Sequence, residues 1–368
     1  MKKIAIIGGG IIGLTLANYL DSTKFEITLF DEGIGQATGA SAGIISPWLS
    51  KRRNKKWYQL AKDGAAFFPK LIQDLKLDET IYSACGTLLL REQTGLLSLA
   101  ELAETRKQEA PEIGDIQLLS AEQTQAYLPL LKPAPALYVS GGGRLDGRAY
   151  LAHATKQAEA HGVTIIREKA TIQSGGDTHW QVQSATQYLE ADLIAVTAGP
   201  FVKPLLEKLA YQVDIRPQKG QLLAFDTPFK ESHHWPVAML DGEADLIPFM
   251  NGKILLGATH ENDGGWDLTP TKEAFTQLVS GTHHFLENPE LFSKQTPNYF
   301  VGTRAYTSDF APFFGPLEET LVVASGLGSS GLTTGPYIGY LLANYFNETT
   351  WQTEHYQKPI ETYIKKTC

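Results

Sequence analysis

The 368-residue chain is 43% hydrophobic and 20% charged, ordinary values that exclude a largely disordered protein. Its 32 basic and 40 acidic residues leave a formal charge of −8, which argues against a nucleic-acid binder held by bulk charge. Two cysteines, Cys85 and Cys368, are too few for a disulfide framework or a multi-cysteine metal site and suit a reducing cytosol.

Lys2 and Lys3 precede an uncharged run from Ile4 to Leu20 that superficially resembles a signal peptide. The run holds four glycines, is short for a membrane span and is followed by no A-x-A cleavage pattern. A soluble, cytoplasmic protein without a membrane span is expected. Ile4 to Ile7 reads as a buried parallel strand, and Gly8-Gly9-Gly10-Ile11-Ile12-Gly13 as a turn into a helix reaching about Leu20. Phe25 to Phe30 reads as a second strand, ending on Asp31 and Glu32, and completes a βαβ unit. From Trp48 to about Pro135 the pattern turns helical, charged and leucine-rich, as in Leu96 to Ala110. Gly141-Gly142-Gly143 marks a break before an amphipathic helix, Tyr150 to His161, and two strands, Val163 to Arg167 and Leu193 to Thr197. Residues 210–300 are richer in aromatics and alternating patterns, as in Lys253 to Thr259, and predict an antiparallel sheet. The tail returns to the pattern of the opening, with a strand from Leu321 to Ala324, a glycine-rich turn from Gly326 to Gly335, and a helix from Tyr337 to Phe346. Thr333 or Thr334 can cap that helix, and Pro336 suits its first turn.

Gly8-x-Gly10-x-x-Gly13 has a mechanical meaning. The first glycine permits the tight turn, the second lets a pyrophosphate approach the backbone, and the third lets helix and strand pack closely. The helix N-terminus offers free N–H groups and partial positive charge to phosphates. Asp31, 18 residues past Gly13, stands where a carboxylate can accept hydrogen bonds from a ribose diol and disfavours the 2′-phosphate of NADP. The alternative is a glycine-rich turn that binds nothing. A second strand, glycine turn and helix about 300 residues downstream is more than a nicotinamide enzyme needs, and points to FAD. A helix N-terminus there can stabilise negative charge on a reduced flavin; taken alone, it is equally an ordinary capped helix.

With these pieces in place the sequence resembles, over essentially its whole length, the FAD-dependent D-amino acid oxidase superfamily, in particular its glycine oxidase and sarcosine oxidase branch. The resemblance rests on Gly8 to Gly13 with Asp31, on Thr38-Gly39-Ala40-Ser41-Ala42-Gly43, on Thr197-Ala198-Gly199 and on Lys219-Gly220-Gln221. Two C-terminal marks are more specific: Gly302-Thr303-Arg304-Ala305-Tyr306-Thr307-Ser308-Asp309 with Pro312 and Gly315, and the Gly326 to Gly335 loop. It implies an α/β fold with a Rossmann-like FAD-binding domain (1–47, 141–205 and 300–368). Interleaved with it is an α+β substrate domain on a mostly antiparallel sheet (48–140 and 206–299). It implies FAD contacts from Gly8, Gly10, Ile12, Gly13, Asp31, Glu32, Ser41, Ala42, Gly43, Ala170, Ala198 and Gly199, and from Gly328, Ser329, Ser330, Gly331, Leu332 and Thr333.

The resemblance also implies that Arg304 holds the substrate carboxylate, a role that suits a guanidinium fork. The alternative is a structural ion pair, for instance with Asp309. Sarcosine oxidases link their flavin to a cysteine close to this arginine; none lies near Arg304, so FAD is expected to be noncovalent. Glycine oxidases carry a tyrosine three residues before a strand proline, and here Asp245-Leu246-Ile247-Pro248 puts aspartate in its place. Asp245 is thus a candidate pocket residue favouring a cationic substrate group, or simply a loop residue.

The implied reaction oxidises the CH–NH bond of a small amino acid or amine by hydride transfer to flavin N5. Imine hydrolysis and reoxidation by O2 to H2O2 would follow. One alternative is a dehydrogenase that uses another electron acceptor; another is oxidation of a modified tRNA base, suggested by the basic run Lys51-Arg52-Arg53-Asn54-Lys55-Lys56 with Trp57 and Tyr58. The net negative charge favours reading that run as a solvated loop or entrance lid. No metal is expected, and the adjacent pairs His233-His234 and His283-His284 read as surface residues.

Overall fold

The computed structural model describes residues 1–52, 54–176, 179–242, 244–348 and 351–367, so Arg53 of the basic run and Cys368 lie outside the described residues. A six-stranded sheet runs in the order Phe313–Glu318, Leu321–Ser325, Leu193–Val196, Lys2–Ile7, Phe25–Phe30, Thr164–Ile166. The N-terminal strand lies inside this sheet, and its Ile4, Ala5 and Ile6 are fully buried. Being covered on both faces, they form the continuous apolar run that a parallel strand needs. Ile7 pairs with both Phe30 and Val196. The carboxyl ends of three strands therefore meet, and the chain leaves them at Gly8, Asp31 and Thr197. Open α/β sheets bind their ligands at such a crevice.

The second sheet has eight strands: Asn298–Tyr306, Arg216–Asp226, Lys253–Gly257, Asp245–Pro248, Val237–Met239, Thr87–Leu89, Ala136–Val139 and Ile116–Leu119. Its pairs are antiparallel except that Val237–Met239 runs parallel to Thr87–Leu89. Arg304 faces Gln218, and Leu222 faces Gly257, which faces Asp245. With the two-residue period of a strand, Arg304, Gln218, Gly220, Leu222 and Asp245 share one side of this sheet.

Three sequence expectations need correcting. The stretch from Trp48 to Pro135 is not purely helical, since Thr87–Leu89 and Ile116–Leu119 enter the large sheet between its helices. The C-terminal helix runs from Gly331 to Glu348, so Thr333 and Thr334 lie inside it rather than capping it. Pro336 sits beyond the first turn, and a 3-10 turn at 328–330 leads in. Of the paired histidines, His234 and His284 are exposed but His233 and His283 are half-buried. On its 3-10 turn the His233 ring centre lies 3.8 Å from that of His234. Among the described residues, no helix is long and apolar enough to cross a membrane.

Candidate active site

The two sheets enclose a cavity of about 590 Å³, within the usual range for small-molecule sites. It is lined by Gly8, Gly10, Ile12, Asp31, Glu32, Ser41, Ala42, Gly43, Ala170, Ala198 and Gly199, by residues 328–333, and by Arg304 and Asp245. Gly13 alone of the expected residues is not on its wall. A Cβ there would lie 1.9 Å from the Gly8 carbonyl oxygen and 2.6 Å from Thr197 Oγ1, so Gly13 lets helix and strand approach. Gly8, at φ +109°, does the same against Ala198. Thr197 Oγ1 completes the joint by donating to the Gly8 carbonyl at 2.8 Å.

The residues fit a bound dinucleotide. A Cβ on Gly10 would meet only Thr38 Oγ1, at 3.6 Å, and one on Gly199 or Gly328 would meet nothing within 4 Å. These glycines therefore leave open space on the cavity wall. No side chain caps the helix at Gly10, although Ile11 N–H donates to Thr38 Oγ1 at 3.1 Å. The Gly331–Glu348 helix starts on the same cavity, giving it two helix N-termini suited to anionic groups. Asp31 accepts from Gly9 N–H, from Gly33 N–H at 2.5 Å and from Gln36 Nε2 at 3.1 Å. A carboxylate has about four acceptor positions, which leaves one for a ligand hydroxyl. Gln36 is an addition that sequence reasoning misses, its only signal there being proximity to the Thr38–Gly43 mark, while Thr38 of that mark gains a specific contact.

Arg304 lies at the other sheet. Its Nη1 donates to the Thr259 carbonyl at 2.8 Å and to Gln218 Oε1 at 3.3 Å. A Cβ on Gly220 would come within 2.6 Å of the guanidinium, so that glycine makes the room Arg304 occupies. Asp309, the expected rival partner, instead accepts from Lys358 at 2.6 Å and from Tyr363 at 3.1 Å. The Lys219-Gly220-Gln221 mark now has a physical basis. Lys219, only 1% exposed, donates to Asp267 at 2.6 Å and to the Thr269 carbonyl at 2.7 Å. Gln221 bonds Glu261 and Thr271. Together they tie down the loop after Thr259, which carries the cavity-lining His260.

Asp245 is partly exposed, and what it meets is the cavity. Burial pushes its carboxyl up to about 7, against a hydrogen bond from Leu240 N–H and the nearby Arg91. A raised carboxyl is protonated in the fold while still ionised in the unfolded chain. Wild-type stability should therefore fall as pH rises from about 4 to about 7, then level off. Thermal melts of wild type and Asp245→Asn between pH 5 and 8 check this. The variant's relative advantage should grow up to about pH 7 and stay constant above it.

In the basic run Lys51, Arg52, Lys55 and Lys56 are exposed, and two of them bond to the body of the molecule. Arg52 lines the cavity and donates to Ser329 at 2.9 Å, and Lys56 Nζ donates to the carbonyls of Glu354 and Gln357. Trp57, another lining residue that the sequence does not announce, donates its indole N–H to Ser330 at 3.0 Å.

Comparison with known proteins agrees with this geometry. The family model described as "DAO: FAD dependent oxidoreductase" matches residues 3–345. The uncharacterized oxidoreductase YurR of Bacillus subtilis is 37% identical over 93% of this chain and 94% of its own. Glycine oxidase of Pseudomonas putida is 27% identical over 91% of this chain and 92% of its own. The crystal structure of iminodiacetate oxidase from Chelativorans sp. BNC1 superposes with a TM-score of 0.88 at 28% identity, covering 98% of both chains.

Proposed function

Because the chain belongs to the DAO family of FAD-dependent oxidoreductases, we propose that it oxidises the carbon–nitrogen bond of a small amine bearing a carboxylate. Glycine, an N-substituted glycine or a D-amino acid fits that description. The observation that carries the reading is Arg304, a guanidinium braced by Thr259 and Gln218 on the wall of the cavity that the glycine motifs also line. The compounds named for the two relatives, glycine and iminodiacetate, both carry a carboxylate next to the C–N bond, the arrangement such an arginine would orient.

Noncovalent FAD, held at the two helix N-termini with Asp31 on its ribose, would supply the two-electron acceptor. The chain's own task is placement. Arg304 fixes the carboxylate and thereby the neighbouring carbon, and such positioning supplies much of the rate in a reaction needing no covalent protein chemistry. Asp245, its carboxyl raised by burial, is one group on the cavity wall, with His260, that could take the proton a substrate ammonium must lose. Dioxygen is the proposed final acceptor. The division into a cofactor domain (1–47, 141–205 and 300–368) and a substrate domain (48–140 and 206–299) belongs to the same proposal. The strand Asn298–Tyr306 crosses its boundary, so the junction runs through the Arg304 site.

The test is a peroxide assay in air, paired with anaerobic dye reduction, over glycine, N-methylglycine, iminodiacetate, proline and a D-amino acid panel. At least one carboxylate amine should yield peroxide. A flavin that dithionite bleaches but none of the panel does would overturn the reading. Dye reduction without peroxide would replace dioxygen by another acceptor.

A further inference from the structure

The pairing of Arg216–Asp226 with the chain beside it continues past the end of the Lys253–Gly257 strand, but with a fault. Gly257 faces Leu222, whereas Glu261 faces Lys219. Three steps on one strand are thus matched by four on the other, and Ala258 is the extra residue. A bulge of this kind breaks the ladder locally and re-aims the groups next to it. Beyond it the ladder resumes. Thr259 N–H donates to the Gln221 carbonyl at 3.0 Å, and Lys219 and Glu261 exchange both of their backbone bonds, at 3.2 and 3.0 Å.

Thr259 departs from that pattern in one atom. A regular pair would return a bond from Gln221 N–H to the Thr259 carbonyl. Here Gln221 N–H donates instead to Thr259 Oγ1, at 2.9 Å. The hydroxyl is turned to accept it, because its own proton goes to Glu261 Oε1 at 2.5 Å. Glu261 is held in turn by Gln221 Nε2 at 2.8 Å and stands 4.0 Å from the buried Lys219 ammonium. With its place in the ladder filled by its own side chain, the Thr259 carbonyl accepts from Arg304 Nη1 at 2.8 Å. Thr259 and Gln221 are both fully buried, so the Gln221 N–H must find an acceptor within the protein. Without the hydroxyl, the acceptor the ladder offers is the very carbonyl that holds Arg304. Resting on the reading that Arg304 takes the substrate carboxylate, we propose that Thr259 is its positioning residue. The Thr259 hydroxyl stands in for the carbonyl within the sheet, and the carbonyl so released sets the guanidinium on the cavity wall.

The probe is methoxyacetate, a carboxylate with no nitrogen to oxidise, titrated calorimetrically into the flavin-loaded enzyme. Thr259→Val keeps the shape of the side chain and loses the hydroxyl. It should bind methoxyacetate at least about fivefold more weakly than wild type, with flavin content unchanged. Thr259→Ser keeps the hydroxyl and should stay within about twofold of wild type. Combined with Arg304→Ala, Thr259→Val should add no further weakening, because a residue that works through Arg304 has nothing to act on once the guanidinium is gone. A general loosening of the fold would instead weaken binding in either background. Wild-type affinity in Thr259→Val overturns the proposal. So does a Thr259→Ser protein as weak as Thr259→Val, or a fivefold loss that persists beside Arg304→Ala. Should Thr259→Val fail to fold, Thr259→Ala, which removes the hydroxyl without replacing it, takes its place under the same outcomes. If methoxyacetate binds Arg304→Ala as tightly as wild type, or does not bind wild type at all, the carboxylate role of Arg304 fails and takes this inference with it. Binding lost in Arg304→Ala but kept in Thr259→Val removes this inference alone.

Discussion

Replacing Arg304 by alanine is expected to lower kcat/KM for a carboxylate substrate by roughly 10- to 150-fold, the worth of a charge-assisted hydrogen-bonded pair. Flavin content should stay near the wild-type level, because Arg304 lies on the eight-stranded sheet and not on the glycine turns. The side chain is braced for such a role. Thr259 and Gln218 fix one edge of the guanidinium, and Gly220 leaves the space in which it lies. A guanidinium also keeps its charge across any working pH. Arg304→Lys should recover only part of the loss, since an ammonium cannot reproduce the bidentate fork. Steady-state kinetics on an established substrate, normalised to bound flavin by absorbance, decide the matter. Unchanged kcat/KM in Arg304→Ala would remove this residue from the substrate site.

How much of the molecule is legible in its sequence depends on how local each cause is. The βαβ opening declares itself because its strands, helix and three glycines follow one another within some thirty residues, although the Gly8 and Gly13 positions also close against Thr197 and Ala198, which only the fold brings there. Asp31 likewise follows at the end of the next strand. The start of the C-terminal helix misleads for an equally local reason. Threonines and a proline look like a cap and first turn, yet the helix extends back to Gly331, and Thr334 Oγ1 bonds the Ser330 carbonyl from inside it. The large sheet is harder to read. Its parallel pair joins Thr87–Leu89 to Val237–Met239, and no turn signal connects strands so far apart in sequence. The setting of Arg52 is harder still. Charge composition identifies a basic run, but only the fold brings Arg52 to Ser329, 277 residues away, and stacks it on Trp57. Lys219 shows the same limit: within a motif it is only a residue type, while its burial and its hold on the 261–269 loop are tertiary facts.

The glycine motif yields the other large effect, and two of its positions should fail in different ways. In Gly13→Ala the new methyl would lie 1.9 Å from the Gly8 carbonyl oxygen and 2.6 Å from Thr197 Oγ1, so the helix must move off the central strand. Neither obstacle is the free end of a flexible side chain. One is backbone at the start of the turn, and the other is held by its own bond to the Gly8 carbonyl. Overpacking at such a joint should cost about 3 kcal/mol or more, enough to lower the melting temperature by several degrees even without flavin. Gly10→Ala meets only the Thr38 hydroxyl, at 3.6 Å, and its backbone is already at negative φ. That variant should melt close to wild type as apoprotein but retain much less FAD, because its methyl projects into the space a pyrophosphate would take. Apoprotein melts and flavin-to-protein absorbance ratios for the two variants separate the effects. A Gly10→Ala protein with full flavin occupancy would show that the dinucleotide does not approach this turn. A Gly13→Ala apoprotein as stable as wild type would show that the close packing of helix on strand is not what this glycine is for.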